Sequence, residues 1–122
     1  MIHTRAYIIN IALCLGVLFV ASCGKQHTAE QTVKNFVSEN MKEGVETKRL
    51  DFGDLGTTRH INDSLVAKMR KNGAELFKND IAYGKVPTGD VYYLRMKYLH
   101  EGDTLQNTFY LDSELKEVIA FK

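Results

Sequence analysis

The chain has 122 residues and nearly balanced charge, with 16 Lys and Arg against 15 Asp and Glu. A chain of this length builds one modest domain rather than two. It has no basic excess to neutralise a phosphate backbone, so its composition argues against nucleic acid as a partner.

The N-terminal segment is an almost unbroken apolar run over residues 7–22, YIINIALCLGVLFVAS, with Arg5 as the only Lys or Arg before it. A secretory signal begins with a basic segment, continues with an apolar segment and finishes with small residues. A membrane span is the alternative, but a span needs about 20 apolar residues. This run is shorter and is interrupted by Asn10. We therefore predict residues 1–22 to be a signal peptide.

The cysteine that follows changes the kind of signal. The stretch Val20-Ala21-Ser22-Cys23 resembles the lipobox of bacterial lipoproteins, in which an aliphatic residue, two small residues and a cysteine precede cleavage by the type II signal peptidase. The resemblance implies that the Cys23 thiol takes a diacylglycerol and that Cys23 becomes the first mature residue. Because a single acyl chain binds a membrane reversibly and two bind firmly, the implied partner is a membrane, held through lipid on Cys23.

The residues after Cys23 bear on sorting and on disulfides. Residues 24–27 have neither the Asp that retains such lipoproteins in the inner membrane nor the acidic cluster that marks export to the surface. We predict a short polar tether here and an outer-membrane location facing the periplasm.

The predicted cleavage also removes Cys14 with the signal. The alternative, a disulfide between Cys14 and Cys23, requires both to survive processing. Without residues 1–22, Lys and Arg fall from 16 to 15, equal to the acids.

The first predicted element is an amphipathic helix. Thr28 and Gln31 have the spacing of a capping box, which predicts that the helix starts at Thr28. Gly44 closes it. The apolar positions at helical spacing are Val33, Phe36, Val37 and Met41.

A strand and a second helix follow. The β-branched and aromatic content of residues 45–55 suits a strand, and their apolar positions change phase between Thr47 and Leu50, which predicts a strand with a bulge or bend. Asn62 and the two residues after it cap a helix that runs to about Lys78. Its predicted inward residues are Leu65, Met69, Leu76 and Phe77, its outward ones are Lys68, Arg70 and Lys71, and Gly73 marks a close approach to another element.

The C-terminal third predicts three antiparallel strands. In VYYLRMKYLHE, residues 91–101, apolar and charged side chains alternate, which is typical of a half-buried strand. Residues 101–103 form a turn, residues 104–112 return, and EVIAFK ends the chain as a third strand. The predicted fold is therefore α+β, in the order α-β-α-β-β-β, with an antiparallel meander sheet packed on one face by helices over residues 28–122.

This element order, from the helix TVKNFVSENMK to the long hairpin, resembles the cystatin-like or NTF2-like superfamily. An alternative is a small accessory lipoprotein of an outer-membrane assembly complex, with two helices and then three strands, but the strand at 45–55 counts against it. The superfamily resemblance implies a cavity between sheet and helices. The residues placed to line it are Tyr92, Tyr98 and Asn107 on inward strand positions, with His60 and Tyr83 on loops near its opening. The alternative is ordinary core packing, in which the amide of Asn107 is satisfied internally.

Motifs for chemistry are missing. The mature histidines, His27, His60 and His100, are isolated in the sequence, so we predict no metal site, and no pattern predicts a cofactor or a catalytic residue. Tyr93, Arg95 and Lys97 share the other face of their strand and form a possible partner surface if no helix covers it. We predict a non-catalytic binding or interaction module with a protein or small-molecule partner; the alternatives are an NTF2-like enzyme and an assembly subunit.

Overall fold

A computed structural model describes residues 24–122, except the side chain of Leu50. Helix α1 covers 24–40. It is followed by β1 (Lys48–Phe52), β2 (Gly56–Thr58), α2 (Asp63–Asn72), β3 (Val91–His100), β4 (Asp103–Leu111) and β5 (Val118–Phe121). The α+β fold class is confirmed. The predicted signal peptide and the lipobox-like stretch, with Cys23, lie outside the described residues. Neither described helix combines the length and apolar character needed to cross a bilayer.

The five strands form one antiparallel sheet in the order β1-β3-β4-β5, and β2 also pairs with β3. The strand predicted over 45–55 is shorter in the structure, where it is β1 alone, because residues 53–55 are not part of a strand. Strand β2 follows directly after the predicted range and was not predicted. Phe52 still pairs with Met96, and Gly56 with Tyr93, so β1 and β2 share one edge of β3. The predicted irregularity is present as a register shift between Arg49 and Asp51.

The alternation predicted for β3 is confirmed, since Leu94, Met96 and Tyr98 are buried while Arg95 and Lys97 are exposed. Glu101 and Gly102 form the two-residue turn that connects β3 to β4, and both have positive φ angles. A two-residue hairpin turn of type I′ requires this because it matches the right-handed twist of the two strands. The inward side chains of both strands pack under α1, which contributes Ala29, Val33 and Phe36.

An aromatic cluster lies at the centre of this core. The ring centroid of Phe36 lies 5.9 Å from that of Phe109 and 5.7 Å from that of Phe121, and both contacts are edge-to-face. Phe109 and Phe121 stack at 5.5 Å. Phe121 is therefore part of the core, and it fixes β5 against β4.

Helix α2 packs against the other face of the sheet. Its buried residues, Val66 and Met69, contact a second cluster that includes Tyr110 and Ala120. Successive residues of a strand point to opposite faces, so Tyr110 points away from the core that holds Phe109. The sequence-based prediction placed both helices on one face; the structure places one on each.

The predicted start of α1 at Thr28 is wrong, because the chain is already helical at residue 24. The Thr28 hydroxyl donates to the Gly24 carbonyl at 2.8 Å, which is a bond within the helix and not a cap. The four residues predicted as a tether, 24–27, are thus the first described turn of α1.

The predicted N-cap of α2 is confirmed: the Asn62 side chain accepts a hydrogen bond from the Leu65 N–H at 2.8 Å. The predicted end at Lys78 is wrong. The helix stops at Asn72, and Gly73 caps it with φ 58° and ψ −155°, a backbone conformation open almost only to glycine. A Cβ on Gly73 would meet nothing within 4 Å, so Gly73 serves the turn and not a close approach.

The inward stripe predicted for this helix also differs from the structure. Leu65 is 38% exposed, and Leu76 and Phe77 lie beyond the helix end. Phe77 is nevertheless fully buried, since its backbone bridges to Met41 after α1 and its ring packs in the α1-side core.

Candidate functional site

Tyr98 and Asn107 form a buried polar pair on the α1 side of the sheet. In the ladder, Tyr98 lies opposite Leu105, and Asn107 lies opposite Met96, which makes Tyr98 and Asn107 diagonal neighbours on one face. The Tyr98 hydroxyl donates to Asn107 Oδ1 at 2.5 Å. Tyr98 is 3% exposed and Asn107 9%.

The other end of the Asn107 amide is held by the backbone of Lys122. Asn107 Nδ2 donates to the Lys122 carbonyl at 3.2 Å. That carbonyl is fixed because Thr108 and Lys122 exchange two backbone hydrogen bonds, at 2.9 and 3.0 Å. Lys122 therefore orients the amide.

The pair forms part of the floor of an open cleft of about 430 Å³ at the hairpin end of the sheet. Residues 74–76, between α2 and β3, form the facing wall. The exposed acidic side chains among the lining residues are Glu75, Glu101 and Asp103. His100 also lines the cleft; its Nδ1 lies 2.9 Å from the Glu46 carbonyl, and its Nε2 lies 3.8 Å from the Glu101 carboxylate.

Neither member of the pair uses all of its hydrogen-bond donors and acceptors. Asn107 uses one amide hydrogen on Lys122, which leaves the second, and the Tyr98 oxygen keeps its lone pairs after it donates. Burial raises the pKa of Tyr98 above its ordinary value of 10.0, so the hydroxyl is neutral at physiological pH. The floor of the cleft thus offers neutral hydrogen-bond donors and acceptors.

The other three residues predicted for the cavity lie elsewhere. Tyr83 lines a separate cavity of about 380 Å³ between α1 and the start of β5. Tyr92 lines a groove of about 540 Å³ beside the start of α1. His60 is exposed after β2, and its backbone N–H donates to the Thr58 hydroxyl. Of the five predicted residues, the structure brings together only Tyr98 and Asn107.

Arg70 is the residue whose role the sequence did not indicate. It was predicted to point outward from α2, but its Nε donates to the Ile119 carbonyl at 2.9 Å and its Nη2 to the Gly84 carbonyl at 2.7 Å. Its guanidinium carbon lies 4.9 Å from the centroid of the Tyr83 ring. The pKa of Tyr83 is raised by burial, and the charge of Arg70 offsets part of that rise.

The face with Tyr93, Arg95 and Lys97 is partly covered. Tyr93 is half-buried against the cluster under α2, and a Cβ on Gly56 would lie 2.4 Å from its ring. The guanidinium of Arg95 lies 5.6 Å from the Tyr93 ring centroid, while Lys97 is exposed. Of these three residues, the two exposed ones, Arg95 and Lys97, are charged and not aromatic.

Within residues 24–122, no three side chains of His, Cys, Asp or Glu come together in a way that could hold a metal ion. We compared the chain with protein-family models, with curated proteins and with solved structures, and none of them matches it.

Proposed function

We propose that the chain is an envelope lipoprotein, anchored by lipid on Cys23 and facing the periplasm from the outer membrane, whose domain binds a small polar molecule. The anchor is supported by the lipobox-like residues 20–23 and the apolar run before them. The binding role is supported by the cleft above Tyr98 and Asn107.

The observation that carries the binding role is the joint presence of an open cleft and a buried pair with unused hydrogen-bonding capacity. A cleft of about 430 Å³ has the size of ordinary small-ligand sites, which combine apolar walls with a few fixed polar groups. Leu76 and Leu105 supply apolar wall, and the Tyr98–Asn107 pair supplies fixed polar groups. Because both floor groups are neutral and the exposed acidic side chains of the cleft are Glu75, Glu101 and Asp103, the best-matched ligand has hydroxyl or amide groups and no negative charge.

The anchor is tested by fractionation of cells that express the full chain. We expect the wild type in the outer-membrane fraction, and we expect globomycin to block its processing. The Cys23→Ala variant should carry no lipid. Cys14→Ala is the matched control, since this cysteine leaves with the signal, and it should fractionate as the wild type does. Wild-type protein free in the culture medium would contradict the anchor.

The cleft is tested by saturation-transfer NMR on the purified mature protein with a panel of monosaccharides, amides and short peptides. We expect at least one compound to bind, and Asn107→Leu to abolish its signal. Thr104→Leu is the control, because Thr104 lies on the same strand, is exposed and points to the other face. If binding survives Asn107→Leu, or if no compound binds and Asn107→Leu is more stable than the wild type, the pair is only part of the core.

A further inference from the structure

The first turn of α1 is fastened to the edge of the sheet through one side chain. Gln26 Oε1 accepts a hydrogen bond from the Leu55 N–H at 2.8 Å, and Gln26 Nε2 donates to the Gly53 carbonyl at 3.0 Å. Residues 53–55 are the loop that separates β1 from β2. One amide thus binds both a donor and an acceptor of this loop, and the start of α1 cannot swing away from the sheet while both bonds are made.

The position of Gln26 in the chain limits how far this loop can be from the proposed lipid. Cys23 precedes Gln26 by three residues. Three residues span at most about 10 Å when fully extended and about 4.5 Å when helical. The lipidated cysteine lies at the membrane surface by its chemistry. The loop 53–55 must therefore lie close to the same surface.

The groove beside this loop has the side chains expected of a surface that meets lipid headgroups. Phe52, Leu55 and Tyr92 are half-buried and line it together with the exposed Lys25. Tyrosine suits the boundary between apolar chains and water, because its ring is apolar and its hydroxyl is polar. Lysine near an anionic bilayer is attracted to the lipid phosphates.

Further charges surround the groove, and they have both signs. Lys34 Nζ lies 5.9 Å from the Phe52 ring centroid, and the Arg49 guanidinium carbon lies 5.5 Å from it. Asp51 and Asp54 are exposed nearby and oppose this positive charge. The short connection to the lipid, rather than a strong electrostatic field, is thus what brings this surface to the membrane.

We infer that the domain has a fixed orientation on the bilayer, with the loop 53–55 and the groove lined by Lys25, Leu55 and Tyr92 against the phospholipid headgroups. This inference rests on the proposed lipid anchor at Cys23. It goes beyond the anchor, because an anchored domain on a free tether would present every face to the membrane in turn.

The test is fluorescence quenching of the lipidated full chain, purified from membranes and placed in vesicles of phosphatidylethanolamine and phosphatidylglycerol that carry a headgroup quencher. A dye is attached to Asp54→Cys in one sample and to Glu43→Cys in another. Both positions are exposed, and Glu43 lies beyond the far end of α1, roughly 25 Å along the helix axis from its start. Cys14 leaves with the signal and Cys23 carries lipid, so the introduced thiol is the one that reacts.

We expect the dye at position 54 to be quenched more than the dye at position 43. Gln26→Ala should reduce this difference, because it removes the bonds to Gly53 and Leu55. Gln31→Ala, an exposed residue on the same helix, should leave the difference unchanged.

Two results would overturn the inference, and mass spectrometry of the same sample tells them apart. If Cys23 carries diacylglycerol and the two dyes are quenched equally, or position 43 more strongly, the orientation is refuted while the anchor stands. If Cys23 carries no lipid, the anchor is refuted and the orientation with it.

Discussion

Arg70 connects three parts of the domain, so its removal should lower the free energy of unfolding. Its two hydrogen bonds join α2 to Ile119, on the outer edge of β5, and to Gly84, in the loop between α2 and β3. An edge strand with unpaired backbone groups invites pairing with other chains. Arg70 occupies one of these carbonyls, and the Gly84 N–H, which donates to the Val118 carbonyl at 3.0 Å, occupies another.

The expected loss follows from these contacts. A hydrogen bond from a charged donor contributes about 1.5–3 kcal/mol, and the half-exposed position of Arg70 favours the lower end for each of its two. The contact with Tyr83 adds about 0.5–1 kcal/mol. We expect Arg70→Ala to lower the free energy of unfolding by about 3.5–4 kcal/mol, or the melting temperature by roughly 14–32 °C for a domain of this size. Arg70→Lys should lose about half of this, because one ammonium cannot reproduce the planar fork.

The assay is urea unfolding of the purified protein, with Lys71→Ala as the control because Lys71 is the exposed neighbour on the same helix. A second readout is the ultraviolet titration of tyrosine. Arg70 holds the pKa of Tyr83 below the value that burial alone would produce, so Arg70→Ala should raise that pKa further. If Arg70→Ala and Lys71→Ala differ by less than about 0.5 kcal/mol, the usual effect of a surface substitution, Arg70 does not hold this edge.

Three further predictions concern the polar pair, the end of α2 and alkaline pH. In a double-mutant cycle of Tyr98→Phe and Asn107→Leu, urea unfolding should give a coupling free energy of about 1 kcal/mol; additive losses would contradict the hydrogen bond between them. Gly73→Ala should cost about 1–3 kcal/mol in the same assay because of its backbone conformation, whereas Gly53→Ala, whose Cβ would make an ordinary 3.5 Å contact, should cost less; equal losses would remove the conformational explanation. Burial raises the pKa of Tyr83 and of Tyr98 above 10.0. Each tyrosine therefore contributes stability that is fully present below pH 10.0. This stability is lost as the pH rises through the pKa values of the two tyrosines in the folded state. Unfolding followed from pH 8 to about pH 12 should show this decline, with a smaller decline in Tyr98→Phe, and a wild type of constant stability would refute it.

Features that depend on neighbours in the chain were predictable. Asn62 caps α2 because the bond it accepts comes from three residues further on, at Leu65. The inward positions of β3 and β4 followed from the period of two that any strand has, which is how Tyr98 and Asn107 were selected. The α+β class followed from the same local patterns.

The candidate site could be predicted only in part. The inward direction of Tyr98 and Asn107 follows from alternation, but their contact depends on the register that sets Met96 opposite Asn107. Tyr83 and His60 were grouped with them because loop positions were assigned without knowledge of packing, and the path of a loop is decided by what it packs against. Tyr92 was grouped with them because it shares the inward face of β3, but it lies near the start of that strand and Tyr98 lies near its end.

The sequence by itself determined the strand alternation and the cap of α2, and it predicts a signal segment at the N-terminus, because each depends on side chains a few positions apart. The tertiary structure alone decided that α2 packs on the face opposite α1, that Arg70 reaches Ile119, and that Gln26 fastens the start of α1 to the sheet edge. These contacts join residues 27 or more positions apart. Long polar side chains such as arginine and glutamine can face water or reach a distant backbone group equally well. Which of the two occurs depends on where the folded chain places an unpaired carbonyl or N–H group.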